Sequence, residues 1–380
     1  MAPDRDRQFA AKPIVSVHAE DEPAYRSEVE RREVARFDLA RRGVEFGTFA
    51  MCEPAGLLDP RPRRRRREAL IRERWVAARP LHFPAAYKKL AGRVRGLARG
   101  LYERLERGEF TGWLESRASA LGPRFQLDTT EGEFADPERD LARATFSSRD
   151  GLRDFWIKWA KLSPFERDTS RRLRLSFGAE GDDDASTDGD RLRALTELGA
   201  PLVPGFREIS GQNELEPLLV DLVGAPLLLT QPIGYWNTKH GGAAFHHDSF
   251  AENDGQKGVL FVQLVGRSFW LALAIRDLAD RLAEYASDAA EHLPEDVVAL
   301  CRDPLATLAE CGLPDCGRLN GLVNAPEFTA FLADAGHAVV LEEGDAIVLP
   351  NHDLNRTAMH SVFGTAKRPS YGLSLAIRAR

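Results

Sequence analysis

The sequence predicts an α+β fold with a mostly helical N-terminal region over 1–200. A β-rich core over 201–380 follows, closing as a jelly roll and carrying a helical insertion at 277–335. Three observations predict this. From about residue 20 to 172 the chain is rich in Arg, Glu, Ala and Leu, with apolar residues at helical spacing. From residue 226 onward, runs of four to eight residues rich in Val, Leu, Ile and Phe are bounded by Gly, Pro, Asn or Asp. Between two of those runs, DLADRLAEYASDAAEHL and EFTAFLADAG return to the helical period.

Taken in order, amphipathic helices are expected at 25–46, 68–78, 85–106 and 149–161. In the last of these, Leu152, Phe155, Trp156, Trp159 and Leu162 form one apolar stripe, the pattern of a core-facing element. The acidic stretch GDDDASTDGD at 181–190 reads as a solvated loop, and 214–223 as a short helix. Strands are expected at 226–233, 243–248, 258–265, 268–275, 338–341, 346–350, 359–363 and 370–377. Eight strands close naturally as a jelly roll, which manages its own edges.

Composition narrows the classes. With 380 residues, 43% of them hydrophobic, the chain can bury a sizeable core and is no disordered tail. No apolar run approaches the roughly 20 residues that cross a bilayer. Residues 1–12 lack the apolar stretch of a secretory signal, and four cysteines make no disulfide framework for this length. The expectation is a soluble, cytoplasmic protein in a reducing compartment. A net charge of −6 argues against a general nucleic-acid binder. The run at 61–74 holds eight Arg against two Glu. It reads either as a patch for an acidic partner or, by the usual behaviour of charge runs, as a solvated helix start.

Histidine is unevenly spread, with seven of nine from His240 onward. Within Phe245-His246-His247-Asp248, residues two apart on a strand share a face. His246 and Asp248 can therefore converge on one ion while His247 points away. A second imidazole from elsewhere would complete a two-histidine, one-carboxylate facial triad, which leaves positions open on iron(II). Downstream, Gly344-Asp345 opens AIVLP, followed by Met359-His360-Ser361-Val362 and Arg368-Pro369-Ser370. His352 is a rival for the distal position, but only His360 is followed by a Val/Phe strand and then by Arg-x-Ser. Cys301, Cys311 and Cys316, spaced C-x9-C-x4-C, lack the knuckle of a zinc site and read as buried thiols. Gly241-Gly242 read as a turn or a close backbone approach. Asn237 and His240 read either as pocket-lining or as turn residues, and Trp270 as core or lumen-facing.

On these residues the C-terminal 150 or so positions resemble the iron(II)/2-oxoglutarate-dependent oxygenase superfamily, with its double-stranded β-helix core. Its phytanoyl-CoA- and prolyl-hydroxylase-like members and its cupin-like, JmjC-type members share this pattern. His246, Asp248 and His360 resemble the family's HxD…H, and Gly344-Asp345 with Pro350 its approach to the distal histidine. Arg368 and Ser370 resemble its RxS, and the hairpin FVQLVGRSFWLAL that of the JmjC-type members, with Ser268 where those carry a co-substrate lysine. The resemblance implies iron(II) held by His246, Asp248 and His360. It implies 2-oxoglutarate anchored by Arg368 with help from Ser370, molecular oxygen as oxidant, and hydroxylation of a small molecule such as an amino acid or specialised metabolite, or of a peptide. Gln263 would line the same cavity. A planar guanidinium suits the anchoring task because it binds a carboxylate bidentately and keeps its charge. The presence of Asp248 argues against the halogenating variants, which lack that carboxylate. Two other readings are a cupin-type metal protein without 2-oxoglutarate, and a non-catalytic interaction protein acting through the arginine run.

Overall fold

Two-residue alternation in the C-terminal half sorts its side chains into separate apolar layers. The computed structural model describes residues 64–110, 112–113, 196–197, 199–211, 213–239, 241–249, 255–365 and 368–380. It also describes the strand segments 15–16, 30–41, 44–55, 124–128, 139–147, 155–162 and 172–179. Strands β1 (Val15–Ser16), β2 (Glu30–Arg41) and β3 (Val44–Ala55) precede helix α1 (Arg64–Val76), β4 (Leu81–Phe83) and α2 (Lys88–Glu106). Next come β5 (Arg124–Asp128), β6 (Arg139–Ser147), β7 (Phe155–Leu162), β8 (Arg172–Ala179), α3 (Phe206–Gly211) and α4 (Glu216–Val223). The C-terminal half begins with β9 (Leu227–Asn237), β10 (Gly242–His246), β11 (Gln256–Val265) and β12 (Ser268–Ala274). Helices α5 (Ile275–Asp288), α6 (Glu295–Cys301), α7 (Pro304–Cys311), α8 (Asn320–Val323) and α9 (Pro326–Leu332) follow. The chain ends with β13 (Ala338–Leu341), β14 (Ala346–Asp353), β15 (Arg356–Gly364) and β16 (Ser370–Ala379).

The fold is α+β with a large, mainly antiparallel sheet. One layer runs β4-β14-β11-β16-β9 and continues through β8, β7 and β6 to β5. The other runs β13-β12-β15-β10, joined to the first where Asn351 of β14 pairs Thr357 of β15. Alternation decides what each face meets. Leu260, Val262 and Leu264 of β11, with Leu373, Leu375 and Ile377 of β16, pack outward with Leu90, Ala91, Val94, Ala98 and Leu101 of α2. Their odd- and even-numbered neighbours point inward: Val259 and Phe261 meet Trp270, Ala272, Ala358 and Val362 between the layers. On the far side Phe269, Leu271, Leu273, Met359 and Phe363 pack with Leu278 and Leu282 of α5 and with Phe328 of α9. Each such leucine, taken fully out of water, contributes about 1.5–3 kcal/mol.

Close approaches and turns use glycine where a side chain has no room. A Cβ on Gly242 would lie 1.8 Å from the Val362 carbonyl oxygen, so β10 can approach β15 only with glycine there, the close-approach reading of Gly241-Gly242. Gly344 has φ +97 and an added Cβ would sit 2.6 Å from Lys88 Cα. Its neighbour Asp345 accepts from the Ala85 amide at 2.7 Å, the Glu342 amide at 3.0 Å and His82 Nε2 at 3.1 Å. Burial alone would raise the Asp345 pKa. The bonds from His82, Ala85 and Glu342 outweigh it and hold the carboxyl below its ordinary range. Gly344-Asp345 therefore ties the β4–α2 connection to the start of β14.

The N-terminal region differs from expectation. The helix expected at 25–46 is strand: β2 pairs antiparallel with β3. The helix expected at 149–161 is also strand, since β7 pairs with both β6 and β8. FWIKWAKL fits either period, and its aromatic and β-branched content favours a strand once two neighbours are available to pair. A mostly helical 1–200 is thus corrected, and β8 extends the sheet by pairing with β9. The acidic stretch at 181–190 lies outside the described residues. In the arginine run, 61–63 lie outside the described residues and α1 begins at Arg64. Within it Arg72 pairs with Asp221 and Arg74 is buried, while the side chains of Arg64, Arg65, Arg66 and Arg67 lie outside the described residues. No helix among the described residues is long and apolar enough to cross a membrane.

Candidate metal centre

The site arises from one rung of the β10–β15 ladder. His246 lies directly opposite His360, which in turn pairs with Ala272 of β12. Their rings stand 4.1 Å apart between centroids. Strand β10 ends at His246, so Asp248 is not on the strand and reaches the pair from the following turn. Its Oδ1 lies 3.9 Å from His246 Nε2 and its Oδ2 3.7 Å from His360 Nε2. One donor atom from each of His246, Asp248 and His360 lies within 4.8 Å of the others. Among the described residues this is the group of three or more such side chains so placed.

The protonation pattern fits a cation. His246 Nδ1 lies 2.8 Å from the Ala244 carbonyl, which can only accept, so Nδ1 carries a proton and Nε2 is the nitrogen left to face an ion. His360 is buried, and its Nδ1 has no hydrogen-bond partner. Burial, then the neighbouring His246, pushes the His360 pKa down to about 3, which keeps the ring neutral as a metal ligand must be. Trp270 stacks on His360 with centroids 5.6 Å apart and 20° between planes, and meets Phe261 edge-on. Donors held about 2.1 Å from one ion at right angles stand about 3 Å apart, so an ion would draw this group inward by roughly an ångström or less.

The rival histidine is engaged elsewhere. His352 Nε2 donates to the Trp75 carbonyl at 2.7 Å and its ring meets Trp75 edge-on, fastening the β14–β15 hairpin to α1. His240 lies outside the described residues. Cys301, Cys311 and Cys316 are fully buried thiols, in no disulfide, among the apolar residues of the helical segment. Burial pushes the Cys311 thiol well up, away from a ligating thiolate.

The three residues expected to hold a co-substrate are not brought to the triad. Arg368 is exposed and lines a cleft of about 350 Å³ with Ala98, Arg99, Trp236, Val265 and Tyr371. Trp236, Val265 and Tyr371 belong to the outer layer against α2, the opposite side of the sheet from Trp270 and His360. Ser370 is buried and its Oγ donates to the Asn237 carbonyl at 3.2 Å. Gln263 does face inward, but in a closed network: Nε2 donates to the carbonyls of Val265 and Tyr371, and Oε1 accepts from Ser268 Oγ at 2.6 Å. Ser268 Oγ in turn accepts from Trp270 Nε1 at 2.8 Å. A further arginine on this strand, Arg378, was not singled out in the sequence. Since Tyr371, Leu373, Leu375 and Ile377 face outward, Ser374, Ala376 and Arg378 face inward. Arg378 is buried, with its Nε 3.1 Å from Thr230 Oγ1. The signal was that strand parity, masked by the closer match of Arg368 to RxS.

Two buried histidines give the fold a pH dependence. His337 is also held to about 3, by burial first and then by the charges of Arg281, Arg79 and Arg74. The unfolded chain takes up protons on His337 and His360 below about pH 6.5, while the folded chain resists until near pH 3. Stability is therefore lost as pH falls through that window, by up to about 1.4 kcal/mol per pH unit for each ring. Urea unfolding of the metal-free protein at pH 7 and pH 5 should show a fall of roughly 2–4 kcal/mol. A flat profile would place both rings in solvent.

No family model matches the chain, and no curated protein matches it. Among solved structures, it is similar to a 2OG-Fe(II) oxygenase family oxidoreductase from Burkholderia pseudomallei, at 11% identity. That match has a TM-score of 0.29 and covers 82% of this chain and 89% of that one. It is similar to a Pseudomonas putida prolyl-4-hydroxylase at 13% identity, with a TM-score of 0.28, covering 82% of this chain and 99% of that one. A Kdo hydroxylase, a non-heme Fe(II) alphaketoglutarate-dependent dioxygenase, is similar at 12% identity with a TM-score of 0.22, over 54% of this chain and 67% of that one.

Proposed function

We propose that the chain is an iron(II)- and 2-oxoglutarate-dependent oxygenase that hydroxylates a C–H bond of a small molecule or peptide. The observation that carries this is the convergence of two imidazoles from paired strands and the Asp248 carboxylate on one point. The strand order β9-β16-β11-β14 against β10-β15-β12-β13 supports a double-stranded β-helix around that point. Iron(II) bound there would supply oxygen activation at the positions the three ligands leave open. The protein's own share is to offer His246 Nε2, His360 Nε2 and the Asp248 carboxylate on one face. It fixes the His246 tautomer through Ala244 and keeps His360 dry beneath Trp270. We assign the co-substrate carboxylate to Arg378, on the inward face of β16, in place of Arg368.

A second reading, a metal protein of the same architecture without 2-oxoglutarate, draws on the outward position of Arg368. Succinate release from 2-oxoglutarate with iron(II) separates the two. Wild type is expected to turn over, Arg378→Ala to raise KM for 2-oxoglutarate roughly 10- to 100-fold, and Arg368→Ala to leave it near wild type. The reverse pattern returns the role to Arg368. Iron-loaded protein that forms no succinate favours the second reading.

A further inference from the structure

The residue between the two metal-ligand positions on β10 and its turn is His247, which the triad does not use. Its ring touches two separate pieces of chain. The Ser249 amide points at His247 Nδ1 at 3.2 Å, so that nitrogen must carry the lone pair. The proton then lies on Nε2, which is 3.2 Å from the Gly312 carbonyl and donates to it. The first bond closes a turn around Asp248. The second satisfies a carbonyl at the C-cap of α7, where helix geometry leaves acceptors unpaired. Gly312 is also close to the β14–β15 hairpin, since a Cβ there would lie 3.8 Å from the Leu354 carbonyl oxygen. Beside this junction Leu313 and Leu354 are exposed apolar side chains, 48% and 37% accessible.

We propose that His247 is a positioning residue: one neutral imidazole clasps the turn that aims Asp248 and latches the 304–319 helical segment to that turn. Metal capture at the triad and the order of this segment are then coupled through a single ring. The inference rests on the reading of His246, Asp248 and His360 as metal ligands, and adds how the helical segment is held beside them. The acceptor is the main-chain carbonyl of Gly312, so the latch itself uses no side chain of the segment.

Two amides separate the ring's two jobs. Glutamine places a donor near the position of Nε2 and can reach Gly312, whereas asparagine places an acceptor near Nδ1 and can serve only Ser249. The experiment uses the full chain with cobalt(II) as the probe, read by its ligand-field absorption, and amide hydrogen exchange over 304–319 with and without metal. In wild type and His247→Gln, cobalt(II) is expected to slow exchange in that segment. In His247→Asn the slowing is lost while cobalt(II) affinity stays within a few-fold of wild type. In His247→Ala the slowing is lost and affinity falls roughly 10- to 100-fold, the scale of an outer-shell partner. Metal-dependent slowing that survives in His247→Asn or His247→Ala overturns the proposal, as does its loss in His247→Gln with the fold intact by thermal unfolding. Cobalt(II) that binds wild type without any response at 304–319 overturns the latch and leaves the metal centre standing. Cobalt(II) that does not bind, or binds equally well after Asp248→Ala, removes both.

Discussion

Asp248→Ala will cost the protein its metal while leaving it folded. The carboxylate is the one anionic donor of the group, and burial keeps the His360 imidazole neutral, so its loss removes the charge that draws a dication to this point. Removing an outer-shell partner already weakens metal affinity roughly 10- to 100-fold, and loss of a ligand should exceed that, abolishing turnover. Stability should change little. The Asp248 side chain is about one-third accessible (34%), sits in a turn beyond β10 and is no part of an apolar layer. Surface changes of that kind stay within about 0.5 kcal/mol. His246→Ala should behave alike, at 31% accessibility. Calorimetric titration with iron(II) under argon, paired with urea unfolding of the apo variants, reads both halves. Wild-type affinity in Asp248→Ala removes the metal centre. Loss of cooperative unfolding would make Asp248 a structural residue instead.

The grouping of His246, Asp248 and His360 was legible in the sequence, but strand alternation is not what joins it. His246 and His360 meet through strand pairing, whereas Asp248 lies past the end of β10 and joins them from the segment that follows. The choice of His360 over His352 rested on the following strand and the Arg-x-Ser beyond it, and the structure adds what His352 does instead, which is to hold α1 through Trp75. The direction in which Arg368 turns was not legible by motif. Arg368 stands just ahead of β16, where strand parity does not yet apply, and it turns to the α2 side. Arg378 could have been found by counting in twos from Ser374, an argument of alternation that an RxS match overrode. The N-terminal misreading has a related cause. Arg, Glu, Ala and Leu raise helix propensity over 25–46, but propensity is a weak prior, and pairing of β2 with β3 decided the outcome. For 149–161 the sequence satisfied both periods, and the neighbours β6 and β8 settled the choice. His247 was read only as pointing away from the ion. What it points at, the last turn of a helix 65 residues along the chain, is tertiary and carries no local pattern.

Trp270→Ala should show the largest change in stability, because this side chain joins the core between the layers to the metal centre. It is 2% accessible, stacks on His360, meets Phe261 edge-on, and its Nε1 donates to Ser268 Oγ. Truncating a buried aromatic to alanine costs about 3–5 kcal/mol from lost transfer energy and the cavity left behind. The cavity here opens beneath a metal ligand, so a second effect follows. His360 then loses its stacked neighbour on one side and is held less firmly, and metal affinity should drop roughly tenfold. The two effects separate by linkage, since a ligand that binds only the folded state stabilises it by RT ln(1 + [L]/Kd). Trp270→Ala should therefore lose about 3–5 kcal/mol in metal-free protein and about 1.4 kcal/mol more at saturating cobalt(II). Trp270→Phe keeps most of the ring area and loses only the Ser268 bond, at about 1 kcal/mol, and should retain the metal. Equal losses with and without cobalt(II) in Trp270→Ala would show that Trp270 supports the sheet layers alone and that His360 is held by its strand.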